Sequence, residues 1–290
     1  MTDDKRTVRE RVEDVYEQTV FSRSELVESG MSSRDITSAV NAGTLWRLRR
    51  DHYAVAGIDA DVAEAVRVGG RVSCISLLQK IGVFVLRCAV LHIHARPGSS
   101  RLRKPHNTTT VLHWDVWSGH EGPRHAVSLL DAIRHSMRCQ EPRAAIATLD
   151  SLLHHRLVTR QQIESVIAVM PVRFAVLLAL TDPSAESGSE TFMRLMLRAL
   201  GVRYETQVTI PGVGRVDFVV DGWLIIECDS KEFHQGWDKQ TEDRVRDIAA
   251  ARLGYVTIRP IAADILYHSA RVQAAVADVI RILGSRFTGA

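Results

Sequence analysis

The sequence has little that would place it in a membrane or outside the cell. No run of about 18 consecutive apolar residues occurs in its 290 positions, which excludes a hydrophobic membrane-spanning helix from the expected fold. The N-terminal stretch MTDDKRTVRERVEDVYEQ is charged and lacks the apolar core of a secretory signal, so the cytoplasm is the expected location. Cysteine is scarce. Cys74, Cys88, Cys139 and Cys228 are scattered and show no C-x-x-C spacing, and reduced, mostly buried thiols are expected. Internal repeats and low-complexity tracts are also lacking. The rest is an ordinary folding composition, 46% apolar and 24% charged, with length enough for two or three domains.

The net charge is only +3, but it is unevenly spread. Residues 1–60 hold 9 Lys/Arg against 11 Asp/Glu, residues 61–180 hold 15 against 8, and residues 181–290 hold 13 against 15. A basic middle suits contact with a polyanion. It suits arginines on solvated helix faces equally well.

The first 60 residues read as short capped helices followed by a basic hairpin. Val8, Val12, Val15 and Tyr16 recur at helical spacing. In FSRSELVESG, Ser22 is a candidate N-cap with Glu25 three residues later, and Gly30 ends the segment. MSSRDITSAVNAG repeats the pattern, with Ser32 or Ser33 as cap, Ile36 and Val40 inward and Gly43 as stop. TLWRLRRDHYAV then sets Leu45, Leu48 and Tyr53 among Trp46, Arg47, Arg49 and Arg50. Two helices joined by a glycine turn, then a basic two-stranded element, predict a winged helix-turn-helix. The series Gly30, Arg34, Ile36, Gly43, Leu45, Arg47, Arg49, Arg50, Tyr53 resembles the N-terminal winged helix of the abortive-infection antitoxins, with Asp51-His52 in place of that family's wing glycine. The resemblance implies duplex DNA binding, with Ser32, Ser33, Arg34 and Thr37 on the recognition helix and Arg47, Arg49 and Arg50 near phosphates. A winged helix used for protein contacts is the other reading.

The middle is less regular. VSCISLLQKIGV predicts a buried helix, and FVLRCAVLHIHARP and TTTVLHWDVWS predict strands around the basic loop SSRLRKPHN. From His125 to about Leu180 the pattern is helical. LDSLLHHRLVTRQQIESVI resembles the connecting helical region of the same group of proteins, which implies a scaffold role. His92 and His94 alternate on one strand face, with His113, Asp115, His120 and His125 nearby in sequence. They lack the short ligand pairs typical of zinc sites and no cysteine joins them, so half-exposed sheet residues or phosphate contacts are expected instead.

Pro, Gly and Ser in TDPSAESGSE place a boundary near 181–187. SETFMRLMLRALG predicts a helix with Ser189 as cap, with Phe192, Leu195, Met196 and Leu200 inward. Glu190 falls in its first turn, where the helix dipole favours an acid by about 0.3–1 kcal/mol. YETQVTIPGVGRVDFVVDGWLIIECDS predicts three strands, the last two joined at Asp221-Gly222, a strong hairpin signal. That turn sets Asp217 opposite 226–227 and beside Glu227. Alternation puts Glu227 and Asp229 on one face, joined by Lys231 if the strand continues. Like charges across a ladder disfavour pairing, and close carboxylates repel unless a cation or proton intervenes. A divalent metal is therefore expected, with a solvated sheet face as the alternative.

Ser187-Gly188-Ser189-Glu190, Val216-Asp217, Glu227-Cys228-Asp229, His234, Asp243-Arg244-Val245-Arg246-Asp247 and Gly254-Tyr255-Val256-Thr257-Ile258-Arg259 follow in the order of a known nuclease pattern. They resemble the very-short-patch-repair-like branch of the PD-(D/E)XK nuclease superfamily. Ser230-Lys231 departs from that branch's glycine, and Asp229-Ser230-Lys231 offers the superfamily's acid-x-Lys two residues out of register. The resemblance implies Mg²⁺ or Mn²⁺ on Asp217 and Glu227, and a catalytic set of Glu190, Asp217, Glu227, Asp229, Lys231 and His234. Arg244 and Arg246 are placed near phosphates, although Arg246 also stands four residues from Glu242 as a helical ion pair; that pairing is the preferred reading for Arg246.

The expectation is an α/β multidomain chain. It comprises a winged helix-turn-helix (1–60), an α+β middle region (61–180) and a restriction-endonuclease-like domain with a mixed central sheet (181–290). The expected function is a metal-dependent endonuclease acting on double-stranded DNA in phage defence, mobile elements or repair. The alternatives are a non-catalytic DNA-binding regulator or antitoxin with a degenerate nuclease fold and, third, an RNA-directed nuclease.

Overall fold

The computed structural model describes residues 6–106, 109–115, 122–229 and 237–287, and of residues 237–240 and 242 the backbone only. The chain is mixed α/β, with 13 α-helices and three small sheets among the described residues. None of these helices is long and apolar enough to cross a membrane. The chain divides into two compact units, residues 1–145 with 155–179, and residues 146–154 with 180–290.

The first unit opens with helix α1 (Val8–Glu17), strand β1 (Val20–Phe21) and helices α2 (Arg23–Glu28) and α3 (Ser33–Asn41). Thr7, Ser22 and Ser32 cap the three helices, and Glu10, Glu25 and Asp35 return the bond to the cap backbone. Each capping box satisfies amides that a helix start leaves unpaired. Strands β2 (Leu45–Arg49) and β3 (His52–Val55) form an antiparallel hairpin, and β1 pairs with the other edge of β3. Leu45 and Tyr53 close over Leu26 and Ile36. Leu48 and Ala54 pack with Val20 and with Val66 of helix α4 (Ala60–Val68). Burying a side chain such as Ile36 stabilises the unit by about 1.5–3 kcal/mol, while Trp46, Arg47 and Arg50 remain exposed.

The unit continues with β4 (Arg71–Val72), α5 (Cys74–Lys80), β5 (His92–His94), β6 (Val111–His113), α6 (Leu129–Cys139) and the start of α7 (Pro142–His154). Helix α8 (Arg160–Ala168), a 3-10 turn (Val172–Phe174) and α9 (Ala175–Ala179) complete it. β4 and β5 are antiparallel, and β5 and β6 parallel. The two strands expected here are much shorter than their apolar runs. The neighbouring β4 offers only two residues to pair with, and the Ser76 side chain diverts the chain by bonding Val90 O and His92 N.

The second unit contains the rest of α7, then α10 (Gly188–Leu200), β7 (Tyr204–Ile210), β8 (Gly214–Val220), β9 (Leu224–Ile226), α11 (Trp237–Arg252), β10 (Val256–Ile258), α12 (Ala262–Tyr267) and α13 (Ser269–Phe287). Its sheet runs β10-β9-β8-β7 and is mixed: β9 and β10 are parallel, the other pairs antiparallel. Val219 and Ile225 pack with Ala250 of α11, and the Trp223 ring stacks on Phe287 of α13 at 4.6 Å. The cap of α10 is Ser187, not Ser189. The Ser187 hydroxyl accepts from Glu190 N and Gly188 already begins the helix, which is the three-residue spacing a cap requires.

Candidate functional site

The acids singled out in the sequence gather at the β8–β9 hairpin of the second unit. Asp221 (φ 49°) and Gly222 (φ 79°) both adopt left-handed backbone, and Trp223 N donates to Val220 O, the geometry of a type I′ turn. The turn fixes the register Val220↔Leu224, Val219↔Ile225 and Phe218↔Ile226, so Asp217 comes level with Glu227. Asp217 Oδ2 accepts from Cys228 N at 2.7 Å. Glu227 is 9% exposed and Glu190, at the start of α10, 6%. Burial is the main reason that Glu190, Asp217 and Glu227 all hold their protons more tightly than usual. The charge of Asp217 adds to the effect at Glu190 and Glu227. The Cys228 thiol is pushed up by burial and then by Asp217, Glu190 and Glu227 in turn. Three carboxylates therefore lie near one buried thiol, and the charge of Asp217 reaches the other two.

Sequence reasoning missed Gln207. It lies between the pairs Thr206↔Phe218 and Val208↔Val216, level with Asp217, and its backbone is left-handed at φ 53°. Such a conformation costs a non-glycine residue of order 1–3 kcal/mol, and such outliers cluster at functional sites. Its Nε2 donates to Glu190 Oε2 at 2.9 Å, while its Oε1 is buried without a hydrogen-bond partner among the described residues. A glutamine in an edge strand reads as solvent-facing, so nothing in the sequence signals this role.

The carboxylates are engaged as they stand. Glu190 accepts from Ser187 Oγ at 2.8 Å and Glu186 N at 2.9 Å. Glu227 Oε1 lies 3.0 Å from Arg246 Nη2 and 3.5 Å from Arg259 Nη2. Arg246 also donates to Val213 O and Arg215 O, so its guanidinium serves Glu227 and the β7–β8 turn; the side chain of Glu242 lies outside the described residues. Arg259 completes the group with Asp247 at 2.8 Å. Beyond β9, Asp229 N donates to Pro260 O and Asp229 bridges Ile261 in parallel, which extends the strand pairing past Glu227. Lys231 and His234 lie outside the described residues, and Arg244 is exposed on α11.

Would these residues hold a cation? The donors are oxygens, as Mg²⁺ and Mn²⁺ require, and Gln207 Oε1 is a buried acceptor with no donor. Their chemistry fits. Glu227, however, would have to turn away from two arginines to serve as a ligand.

No protein-family model matches the chain, and no curated protein matches it.

In the first unit, Ser32, Ser33, Arg34 and Thr37 form an exposed face of α3, and Arg47 and Arg50 are exposed on the hairpin. Arg49 is half-buried and lines a cavity of about 240 Å³ with His52, Arg71, His94, Arg96 and Arg124. Four arginines, Arg49, Arg71, Arg96 and Arg124, thus line one cavity, with Glu25 the acid paired to Arg124 at 2.7 Å. His113 on β6 is half-exposed, as expected. His92, His94 and His125 are not: they are 5%, 2% and 1% exposed, because α4 and α5 pack against β4 and β5. His120 lies outside the described residues. Two cysteines do join these histidines: Cys74, His92, His113 and Cys139 bring their ligand atoms within 4.8 Å of one another. The sequence hid this group because its members come from four separate elements.

Proposed function

We propose that the chain is a DNA-binding, metal-dependent endonuclease whose site is built on Glu190, Gln207, Asp217 and Glu227. The observation that carries this reading is the convergence of two buried carboxylates, Glu190 and Glu227, and the half-buried Asp217, all with proton affinity raised by burial, beside an amide oxygen that lacks a donor among the described residues. A fold that only needed a stable sheet gains nothing from such a group. Mg²⁺ or Mn²⁺ held by Asp217 and Glu227 supplies charge neutralisation and Lewis acidity toward a phosphodiester. Gln207 orients Glu190, Cys228 N fixes the Asp217 carboxylate, and Arg259 offers a cation to the phosphate. On this reading the capped helices and basic hairpin of the first unit act as a winged helix on duplex DNA, with Arg34, Arg47 and Arg50 near phosphates.

The second reading is a DNA-binding protein that does not cut. The Arg246 and Arg259 contacts to Glu227 favour it, since they neutralise one of the acids without a metal. Supercoiled plasmid with Mg²⁺, Mn²⁺ or chelator separates the two. Metal-dependent nicking that Asp217→Asn and Glu190→Gln abolish supports the nuclease. DNA retention without nicking by the wild type supports the regulator.

A further inference from the structure

We propose that Cys74, His92, His113 and Cys139 form a tetrahedral site for one zinc-class cation that staples the first unit. The proposal is independent of the nuclease reading and concerns other residues. The four ligands come from the start of α5, from β5, from β6 and from the end of α6, and all their ligand atoms lie within 4.8 Å of one another. His92 Nδ1 is 3.1 Å from His113 Nε2, and Cys139 Sγ is 3.8 Å from that same nitrogen. A tetrahedral zinc with usual bond lengths holds two nitrogens about 3.3 Å apart and a nitrogen and sulfur about 3.6 Å apart. The present spacings differ from these by only a few tenths of an ångström.

Donor chemistry selects the cation. Two thiols and two imidazoles suit zinc and discriminate against Mg²⁺, Ca²⁺ and Mn²⁺, which favour oxygen. Binding displaces the two thiol protons to solvent, and two thiolates, two neutral imidazoles and one divalent cation sum to zero charge. A neutral complex is the form that a buried site tolerates. Cys74 is fully buried, and Cys139 lies at the exposed rim, which gives the cation a way in.

Two further features point the same way. Cys74 has a left-handed backbone, φ 56°, although it is neither glycine nor in a turn between strands. Strain of this kind persists where the surroundings demand one side-chain direction. The His113 imidazole is also backed by a second ring. His113 stacks on His135 at 4.7 Å, His135 Nδ1 lies 2.7 Å from Ser73 Oγ, and His94 also stacks on His135 at 5.2 Å. Packed and hydrogen-bonded partners that fix ring orientation are a regular accompaniment of metal-bound histidine.

The local architecture explains what such a cation would do. β4, β5 and β6 contain two, three and three residues, too few for a sheet to stand alone. The described residues between β5 and β6 form neither helix nor strand. One cation bound to α5, β5, β6 and α6 closes that long connection and ties both strands to both helices.

The test uses the full chain purified under reducing conditions. Elemental analysis should find one zinc per chain. After replacement by Co²⁺, intense visible bands and a sulfur-to-cobalt charge-transfer band should appear, as expected for a tetrahedral thiolate site. Cys139→Ser and His113→Ala should weaken Co²⁺ binding at least tenfold, while Cys88→Ala should leave it unchanged. If the ligand variants fail to fold, X-ray absorption of the zinc-loaded wild type should read two sulfurs and two nitrogens. The proposal is overturned by a chain with four free thiols that takes up neither metal, or by an oxygen-rich coordination shell.

Discussion

Arg246 Nη2 lies 3.0 Å from Glu227 Oε1 while the same guanidinium donates to two carbonyls of the β7–β8 turn. The arginine thus competes for the carboxylate that a cation would need. Replacing it tests whether the competition is real. Arg246→Ala should raise Mn²⁺ affinity several-fold, read by calorimetry on the full chain, because the metal no longer displaces a bound cationic group. It should also lower stability by about 1–3 kcal/mol, since two carbonyls lose their donor and Glu227 is left without its nearer partner. Unchanged Mn²⁺ affinity with lowered stability would assign Arg246 a purely structural role and weaken the metal reading of Glu227.

Asp150 and Arg194 form a buried ion pair in the second unit. They meet at 2.7 Å with side chains 1% and 5% exposed. Asp150 also accepts from Thr191 Oγ1 and Asp182 N, and Arg194 also donates to Leu180 O. Burial raises the Asp150 proton affinity in spite of this cation, so the pair itself is a poor source of net stability. Removing one partner is another matter. Asp150→Ala strands a buried guanidinium and should cost about 3–5 kcal/mol in urea unfolding. The double replacement Asp150→Leu with Arg194→Met should recover most of that loss.

These two cases show which parts of the molecule could be read from its sequence. The caps at Ser22 and Ser32 and the Asp221-Gly222 turn follow local rules, because a few adjacent residues decide them. The register of the acids came with the turn: once Asp221 and Gly222 bend the chain, Asp217 must meet Glu227. Gln207 was not legible, because its role depends on a backbone kink opposite another strand. The Cys74–Cys139 group was hidden for a similar reason. Its ligands are far apart in sequence, and spacing rules for zinc describe ligand pairs on a single turn. The arginine partners of Glu227 arise from α11 and the end of β10, and only the packing of the sheet brings them in.

His125 gives the first unit a defined acid sensitivity. Its Nε2 lies 2.7 Å from Val15 O in a fully buried position, and burial lowers its proton affinity below the ordinary histidine value. The folded unit therefore binds this proton less readily than the unfolded chain does. Its contribution is complete above about pH 6.5 and is lost as pH falls below that value. Each proton taken up only on unfolding costs about 1.4 kcal/mol per pH unit in that range. His125→Gln should lower stability at neutral pH by weakening the bond to Val15. It should also flatten the stability profile between pH 6.5 and 5 by up to about one proton, measured as chemical denaturation at a series of pH values. A profile of unchanged slope would show that His125 is protonated in the folded state.

The exposed cations of the first unit separate phosphate contact from solvation. Arg34 lies on the exposed face of α3 and Arg47 on β2, opposite Tyr53 in the hairpin. If both touch phosphates, each replacement removes one neutralised phosphate from the complex. Arg34→Ala and Arg47→Ala should then each reduce the slope of log affinity against log salt by about 0.9 on a duplex of fixed sequence. Affinity should fall to a similar extent on unrelated duplexes, since phosphate contacts carry little sequence information. Glu28→Gln provides the control: it changes charge by one unit in the opposite sense on a neighbouring exposed helix end without removing a phosphate contact. A slope that falls in both arginine variants and rises by the same amount in Glu28→Gln would reflect the general field of the protein, and the basic hairpin would then be a solvated face.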